Sequence, residues 1–109
     1  MIDNYKKTME LIKKIKSQLP IPIVPTKDLF DTIAENKLEV PLEYNFHIKS
    51  VVYLGDEGGI ACELSFSKRT ETVFITSLTH LRIHSAHPLS RKIKKYQKKR
   101  SQKLAKQRR

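Results

Sequence analysis

The spacing of the apolar residues changes at Phe46, from the helical period of 3.6 residues to the period of 2 that is typical of β-strands. A segment that presents its apolar side chains at one of these periods cannot bury them as the other element, so the change separates a helical part of the chain from an extended part. With 109 residues the chain can bury one modest hydrophobic core. We therefore expect an α+β fold in which helices precede a sheet.

The first predicted helix begins near the amino terminus of the chain. Asp3 or Asn4 can cap it by accepting a free backbone N–H, and Pro20 ends it because proline lacks the donor that the next helical turn needs. Its apolar face, at intervals of three and four residues, is predicted to comprise Tyr5, Met9, Ile12, Ile15 and Leu19. The lysines of this segment are expected on its remaining faces.

A proline-rich connector and a short second helix follow. Residues 20–25 contain three prolines and are predicted to be an extended crossing between helices; the P-x-x-P spacing of Pro22 and Pro25 also permits a ligand for an aromatic groove. The second helix is predicted from Lys27 to Asn36, with Thr26 as its N-cap. Its apolar face comprises Leu29, Phe30 and Ile33. Residues 38–44 alternate, but Pro41 limits them to a connector or an edge strand.

Three strands are predicted after Phe46, at residues 46–54, 60–67 and 72–76, separated by turns at 55–59 and 68–70. In the first strand one face is predicted to comprise Phe46, Ile48, Val52 and Leu54. In the second strand one face is predicted to comprise Ile60, Cys62, Leu64 and Phe66. Short turns between consecutive strands predict an antiparallel meander, and strand-like patterning resumes briefly at residues 81–84.

A last helix is predicted from Pro88, which suits the first helical position, with Ser85 or His87 near its cap. Its apolar stripe comprises Leu89, Ile93, Tyr96 and, more weakly, Leu104. We expect its start to dock on the domain and its end to project. The predicted order is therefore α-α-β-β-β-α, a three-stranded meander covered by helices, with a compact domain at residues 1–90 and a basic helical extension at 91–109.

The charge of the chain is strongly segregated. Residues 1–90 contain equal numbers of basic and acidic residues, so the whole net charge of +11 belongs to residues 91–109, which contain no acid. The basic residues of that segment are Arg91, Lys92, Lys94, Lys95, Lys98, Lys99, Arg100, Lys103, Lys106, Arg108 and Arg109. Lysine outnumbers arginine among them, which favours attraction to phosphates over bidentate reading of bases.

This pattern predicts a small non-enzymatic protein that binds nucleic acid through phosphates, RNA more than DNA, assisted by lysines of the first helix. Because the free segment repels itself, its folding is expected to couple to binding. The alternative partner is an acidic protein, docked by the chain as an interaction or regulatory subunit, and a merely solubilising segment is a further interpretation. The apolar stripe is too narrow for strong membrane insertion.

The composition also predicts where in the cell the protein is located. Neither a secretory leader nor a run of 18 apolar residues is visible, and Cys62 is the single cysteine, which together predict a cytoplasmic protein without membrane insertion. Cys62 itself is expected to be a buried small apolar residue rather than a nucleophile.

The sequence carries no motif for a catalytic site, and we expect no cofactor and no metal. The histidines at metal-like spacing are His80, His84 and His87, but Pro88 argues against a helix that would align them. The acids near the first turn are Asp56, Glu57 and Glu63. A metal-dependent nuclease would need a lysine where Ser65 stands, so a small metal-dependent hydrolase is only a second alternative.

Two other features have a structural interpretation beside a functional one. The rings of Tyr53, Phe66 and Phe74 lie in predicted strands and could stack on bases, although packing in the core is the favoured interpretation. The acidic turn at residues 56–57 could dock the basic helix within the molecule.

Overall fold

A computed structural model describes residues 3–35, 46–65 and 74–107. Within these ranges the chain forms α1 (Tyr5–Gln18), β1 (Ile21–Pro22), α2 (Lys27–Glu35), β2 (His47–Tyr53), α3 (Gly55–Gly58), β3 (Ile60–Ser65), β4 (Phe74–Ser77), a 3-10 turn (Leu78–His80) and α4 (Ser90–Gln107). The α+β class is confirmed. The sheet, however, has four antiparallel strands in the order β1-β2-β3-β4, where three were predicted.

The additional strand comes from the proline-rich connector. In β1, Ile21 pairs with Ile48 and Pro22 pairs with His47, at the edge of the sheet where a missing N–H is tolerated. Alternation with the exposed Pro22 turns Ile21 and Ile23 into the core. The pattern at residues 81–84 gives one bridge, between Ile23 and Ile83, and no longer strand.

Helix α1 is rotated relative to the prediction. Its buried residues are Thr8, Leu11, Ile12 and Ile15. Tyr5 and Met9, which the helical spacing places on the apolar face, are 57% and 38% exposed. The buried face is centred toward Leu11 because α4 packs on that side. Asn4 is the N-cap, and its Oδ1 accepts the Lys7 N–H at 3.1 Å.

Strand β2 departs from simple alternation. Its pairing with β3 shifts between Ile48 and Ser50, which inserts an extra residue and moves the later side chains to the opposite faces. Val51 is therefore buried, while Val52 and Leu54, predicted to lie on the same face as the buried Ile48, are 54% and 55% exposed. The prediction for β3 is confirmed for its described part, because Ile60, Cys62 and Leu64 are buried.

The other elements follow their local signals. Thr26 caps α2, with its Oγ1 accepting the Leu29 N–H at 3.1 Å. The turn at residues 55–59 contains the short helix α3. The strand predicted at residues 72–76 corresponds to β4, which is described as Phe74–Ser77. The predictions for residues 38–44, for the turn at 68–70 and for Phe66 lie outside the described residues.

Helix α4 packs against the core and is fixed to the 3-10 turn that follows β4. Leu89 and Ile93 are buried in the same core as α1 and the strands. The Gln97 side chain donates hydrogen bonds to the carbonyl oxygens of Leu78 at 2.7 Å and Leu81 at 2.6 Å. The segment from Ser90 to Arg100 therefore forms part of the core, and a cut after residue 90 would remove buried side chains.

Candidate nucleic-acid interface

The helical period divides the basic residues of α4 among different environments. The side chains that line a groove beside α1 are Lys92, Lys95, Lys99 and Lys103. On the other flank of α4, Arg91, Lys94 and Lys98 are exposed and do not line it. Lys106 is exposed near the end of the helix, whereas Arg108 and Arg109 lie outside the described residues. Arg100 is the exception among the predicted phosphate contacts, because it is buried.

The groove lies between α1 and α4 and has a volume of 410 Å³. From α1 it receives Lys7 and Lys14, which are seven residues apart and so share one side of that helix. With the four lysines of α4, the described lining includes six lysines. The uncharged part of the lining comprises Asn4, Thr8, Leu11 and Tyr96. Of the α1 lysines that are predicted to assist binding, these two line the groove. Only the position of α4 distinguishes them from the other lysines of α1.

Positive charge in this groove is not neutralised by ion pairs within the described part of the chain. The two ion pairs there are Lys49–Glu63 and Arg100–Asp3, and neither involves a groove lysine. The carboxylates in the lining are Glu10 and Asp3, and the latter is engaged by Arg100. The groove therefore presents a net positive surface to solvent.

The lysines of the two helices are close enough to perturb one another. The close approach of the Lys14 ammonium group and repulsion from its charge lower the pKa of Lys92 below the ordinary value of 10.5. Repulsion from Lys95 and then from Lys7 lowers the pKa of Lys99. Like charges that face each other in this way are stabilised by any anion placed between them.

A buried polar network closes one end of the groove. Arg100 Nη1 donates to Asp3 Oδ2 at 2.7 Å, and each of these side chains is only 3% exposed. Tyr53 Oη donates to the same carboxylate oxygen at 2.9 Å, while Arg100 Nη2 donates to the carbonyl oxygen of Asp56 at 2.8 Å. Burial and the hydrogen bond to Asp3 raise the pKa of Tyr53 to about 12. The acidic turn does contact α4, but it does so through this backbone carbonyl.

Gly59 allows α4 to approach the turn closely. Its φ is +60°, and a Cβ atom at this position would lie 2.5 Å from Tyr96 Oη and 2.7 Å from Arg100 Cζ. Tyr96 Oη in turn accepts the backbone N–H of Ile60 at 2.9 Å. Sequence reasoning missed this docking site, since Asp3 was interpreted as a possible helix cap and Tyr96 as part of an apolar stripe.

The other candidate residues have structural roles. His87 Nδ1 accepts the Leu89 N–H at 3.1 Å, near the start of α4. Glu63 accepts a hydrogen bond from Ser50 Oγ at 2.6 Å and lies 3.8 Å from Lys49 Nζ. In residues 3–35, 46–65 and 74–107 no three His, Cys, Asp or Glu side chains are grouped so as to hold a metal ion.

The remaining sequence candidates pack in the core. Cys62 is fully buried, and burial raises the pKa of its thiol to about 12, so the thiolate nucleophile is suppressed. The ring of Phe74 is buried as well, so it is not available for stacking on a base.

These features define an α+β protein with a lysine-lined groove between its first and last helices. No protein-family model, curated protein or solved structure matches the chain. Among the described residues, no helix combines the length and the apolar character needed to cross a bilayer.

Proposed function

We propose that this chain is a non-enzymatic nucleic-acid-binding protein, with RNA favoured over DNA, that holds phosphates in the groove between α1 and α4. The observation that carries the proposal is the convergence of six lysines from two helices on one groove, without a carboxylate partner for them in the described part of the chain. A phosphodiester chain supplies regularly spaced negative charges, and each neutralised phosphate releases a counterion.

The chemistry of the lining favours phosphates over base edges. Lysine acts as a flexible point charge, whereas the planar fork of arginine is suited to bidentate contacts with a base. The arginine in the lining, Arg100, is committed to Asp3 and Asp56. Binding should therefore show little sequence preference and strong salt dependence, with a log–log slope of about −4 if all the groove lysines engage a single strand.

Matched pairs of substitutions in α4 test the proposal. Lys92→Gln with Lys99→Gln removes two charges from the groove, and Lys94→Gln with Lys98→Gln removes two from the opposite flank of the same helix. Fluorescence anisotropy with a labelled RNA should show roughly tenfold weaker binding for the groove pair. The salt slope of the groove pair should become shallower by about 1.4. The flank pair should bind like the unaltered protein.

A substitution that is expected to strengthen binding serves as a control, because a variant that fails to fold can only weaken it. Glu10 lies in the lining, and Glu10→Gln removes negative charge without adding bulk. This variant should bind the same RNA about two- to threefold more tightly, since removing one exposed unfavourable charge is worth a few tenths of a kcal/mol.

Equal losses from the groove pair and the flank pair would show that binding depends on bulk charge alone. Failure of the unaltered protein to bind RNA or DNA at low salt, together with stoichiometric binding of an acidic protein, would overturn the proposal.

A further inference from the structure

We infer that the groove between α1 and α4 takes a single nucleic-acid strand in preference to a duplex. This inference rests on the proposed function and names the form of its ligand. The deciding feature is that the groove lysines face one another across a concave surface, rather than pointing outward from a ridge.

The two helices contribute opposite walls. Lys7 and Lys14 line the groove from α1, and their charges lower the pKa values of Lys99 and Lys92 on α4 by repulsion. An anion that relieves this repulsion has to lie between the walls, where lysines reach it from both sides. One sugar-phosphate chain can do so, and its phosphates then neutralise both rows at once.

A duplex presents a different problem of shape. Proteins that bind duplex DNA usually insert a convex element, often a helix, into a groove about 12 Å wide, and proteins that bind duplex RNA contact its 2′-hydroxyls and phosphates across a wide, shallow groove. Here the exposed outer flank of α4 carries Arg91, Lys94 and Lys98, while the larger set of lysines faces inward. At 410 Å³, the groove has the size of a site for a small molecule, so a duplex is too wide to enter it and would contact its rims.

The floor of the groove is suited to a strand that is bound without recognition of its base sequence. It is formed in part by Thr8, Leu11 and Tyr96, and the hydroxyl of Tyr96 is already an acceptor for Ile60 N–H. Proteins that bind single strands without sequence preference combine a basic groove that follows the backbone with aromatic rings on which bases stack. With Tyr96 as the ring in this lining, electrostatics should dominate the affinity and base identity should have little effect.

A competition experiment tests the form of the ligand. The full chain is bound to a labelled, unstructured oligouridylate of about 12 nucleotides, a length within the range of sites on single-strand-binding proteins. Unlabelled oligouridylate and the oligoadenylate–oligouridylate duplex of the same length then compete, at equal concentrations of phosphate. We expect the single strand to compete at least tenfold more effectively, and the Lys92→Gln/Lys99→Gln variant to lose most of that preference while the Lys94→Gln/Lys98→Gln variant retains it.

The outcomes separate the two proposals. A duplex that competes as well as the single strand, with the groove pair weakening both, overturns the single-strand inference and leaves nucleic-acid binding in the groove intact. If the labelled strand does not bind at low salt, or if the two pairs of substitutions have equal effects, then the groove is not the site and both proposals fail. Far-ultraviolet circular dichroism of each variant confirms that the helices and the sheet are retained.

Discussion

Lys99 and Arg100 are neighbours on α4, yet they lie in opposite environments. Lys99 is exposed in the groove among other lysines, and Arg100 is 3% exposed with its guanidinium held by Asp3 and the Asp56 carbonyl. The rigid fork of an arginine suits a site with two fixed acceptors, whereas a lysine suits a site where the anion is mobile. The basic residues of α4 thus include exposed side chains in the groove and a buried side chain that docks the helix. The helical period places them on different sides of α4.

The buried side of α4 makes the groove possible. Bringing α4 against α1 places Lys7 and Lys14 near lysines of the other helix, which is unfavourable in the free protein. Burial of Ile93 and the hydrogen bonds of Gln97 and Arg100 offset that repulsion. The part of α4 from Ser90 to Arg100 is therefore held by the domain itself, and the expected coupling of folding to binding can apply only to residues beyond it.

The largest expected effect comes from breaking the buried pair. Asp3→Ala leaves the Arg100 guanidinium buried without its carboxylate, which should lower the free energy of unfolding by about 3–5 kcal/mol. Urea denaturation followed by circular dichroism measures this change. Lys99→Ala, at the adjacent exposed position, should leave the urea midpoint almost unchanged.

A double variant shows whether the lost stability is electrostatic. Asp3→Ala combined with Arg100→Met removes both charges and leaves an apolar side chain, so it should recover most of the stability lost in Asp3→Ala. If Asp3→Ala unfolds at the same urea concentration as the unaltered protein, the ion pair between Asp3 and Arg100 does not stabilise the packing of α4. The contrast between the two sides of the helix would then have no energetic basis.

Gly59 provides the second test of the buried side. In Gly59→Ala the new Cβ would meet Tyr96 and Arg100 at 2.7 Å or less, and the residue would also keep a positive φ of +60°. We expect a loss of about 2–3 kcal/mol in the free energy of unfolding. Gly55→Ala is the matched control, because its φ is +72° but no atom lies within 4 Å of the new Cβ, so its loss should be about 1 kcal/mol. Equal losses would mean that backbone strain alone, and not the approach of α4, requires glycine at position 59.

Local patterns predicted the parts of the fold that depend on local physics. The Thr26 cap, the alternation of β3 with Cys62 in the core and the helix after Pro88 follow from neighbouring residues alone. The bulge in β2 and the use of Ile21 in the sheet could not be predicted in this way, since pairing with another strand decides both.

The site was predictable only in outline. Segregated charge indicated α4, but Asp3 and Arg100 are 97 residues apart, and neither carries a signal that distinguishes it from an exposed charge. Likewise, the sequence places several lysines on α1, and only packing against α4 assigns Lys7 and Lys14 to the groove. Contacts between distant segments determine which members of a charge run are buried, which face an anion and which remain in solvent.

The smallest expected effect is a pH dependence confined to the groove. The pKa values of Lys92 and Lys99 are lowered by neighbouring lysines, so these groups begin to lose their charge at a lower pH than a lysine with the ordinary value of 10.5. A bound polyanion favours the protonated amines, and binding therefore takes up protons wherever they are partly deprotonated. Affinity should consequently fall as pH rises, and the fall should begin below the ordinary range of lysine titration.

Single-stranded DNA is the suitable probe for this measurement, because alkali cleaves RNA. Dissociation constants for an oligodeoxyadenylate, whose bases do not titrate in this range, measured from about pH 7 to about pH 10 at constant ionic strength, should rise with pH in the unaltered protein. In a Lys14→Gln/Lys95→Gln variant binding is weaker, but the rise should begin at higher pH, since the neighbours that lower the pKa values of Lys92 and Lys99 most are gone. The Lys94→Gln/Lys98→Gln variant should keep the early onset. If the onset stays the same in all three proteins, the lysines of α1 and α4 do not act on one another, and the inward-facing arrangement that distinguishes the groove from the outer flank is wrong.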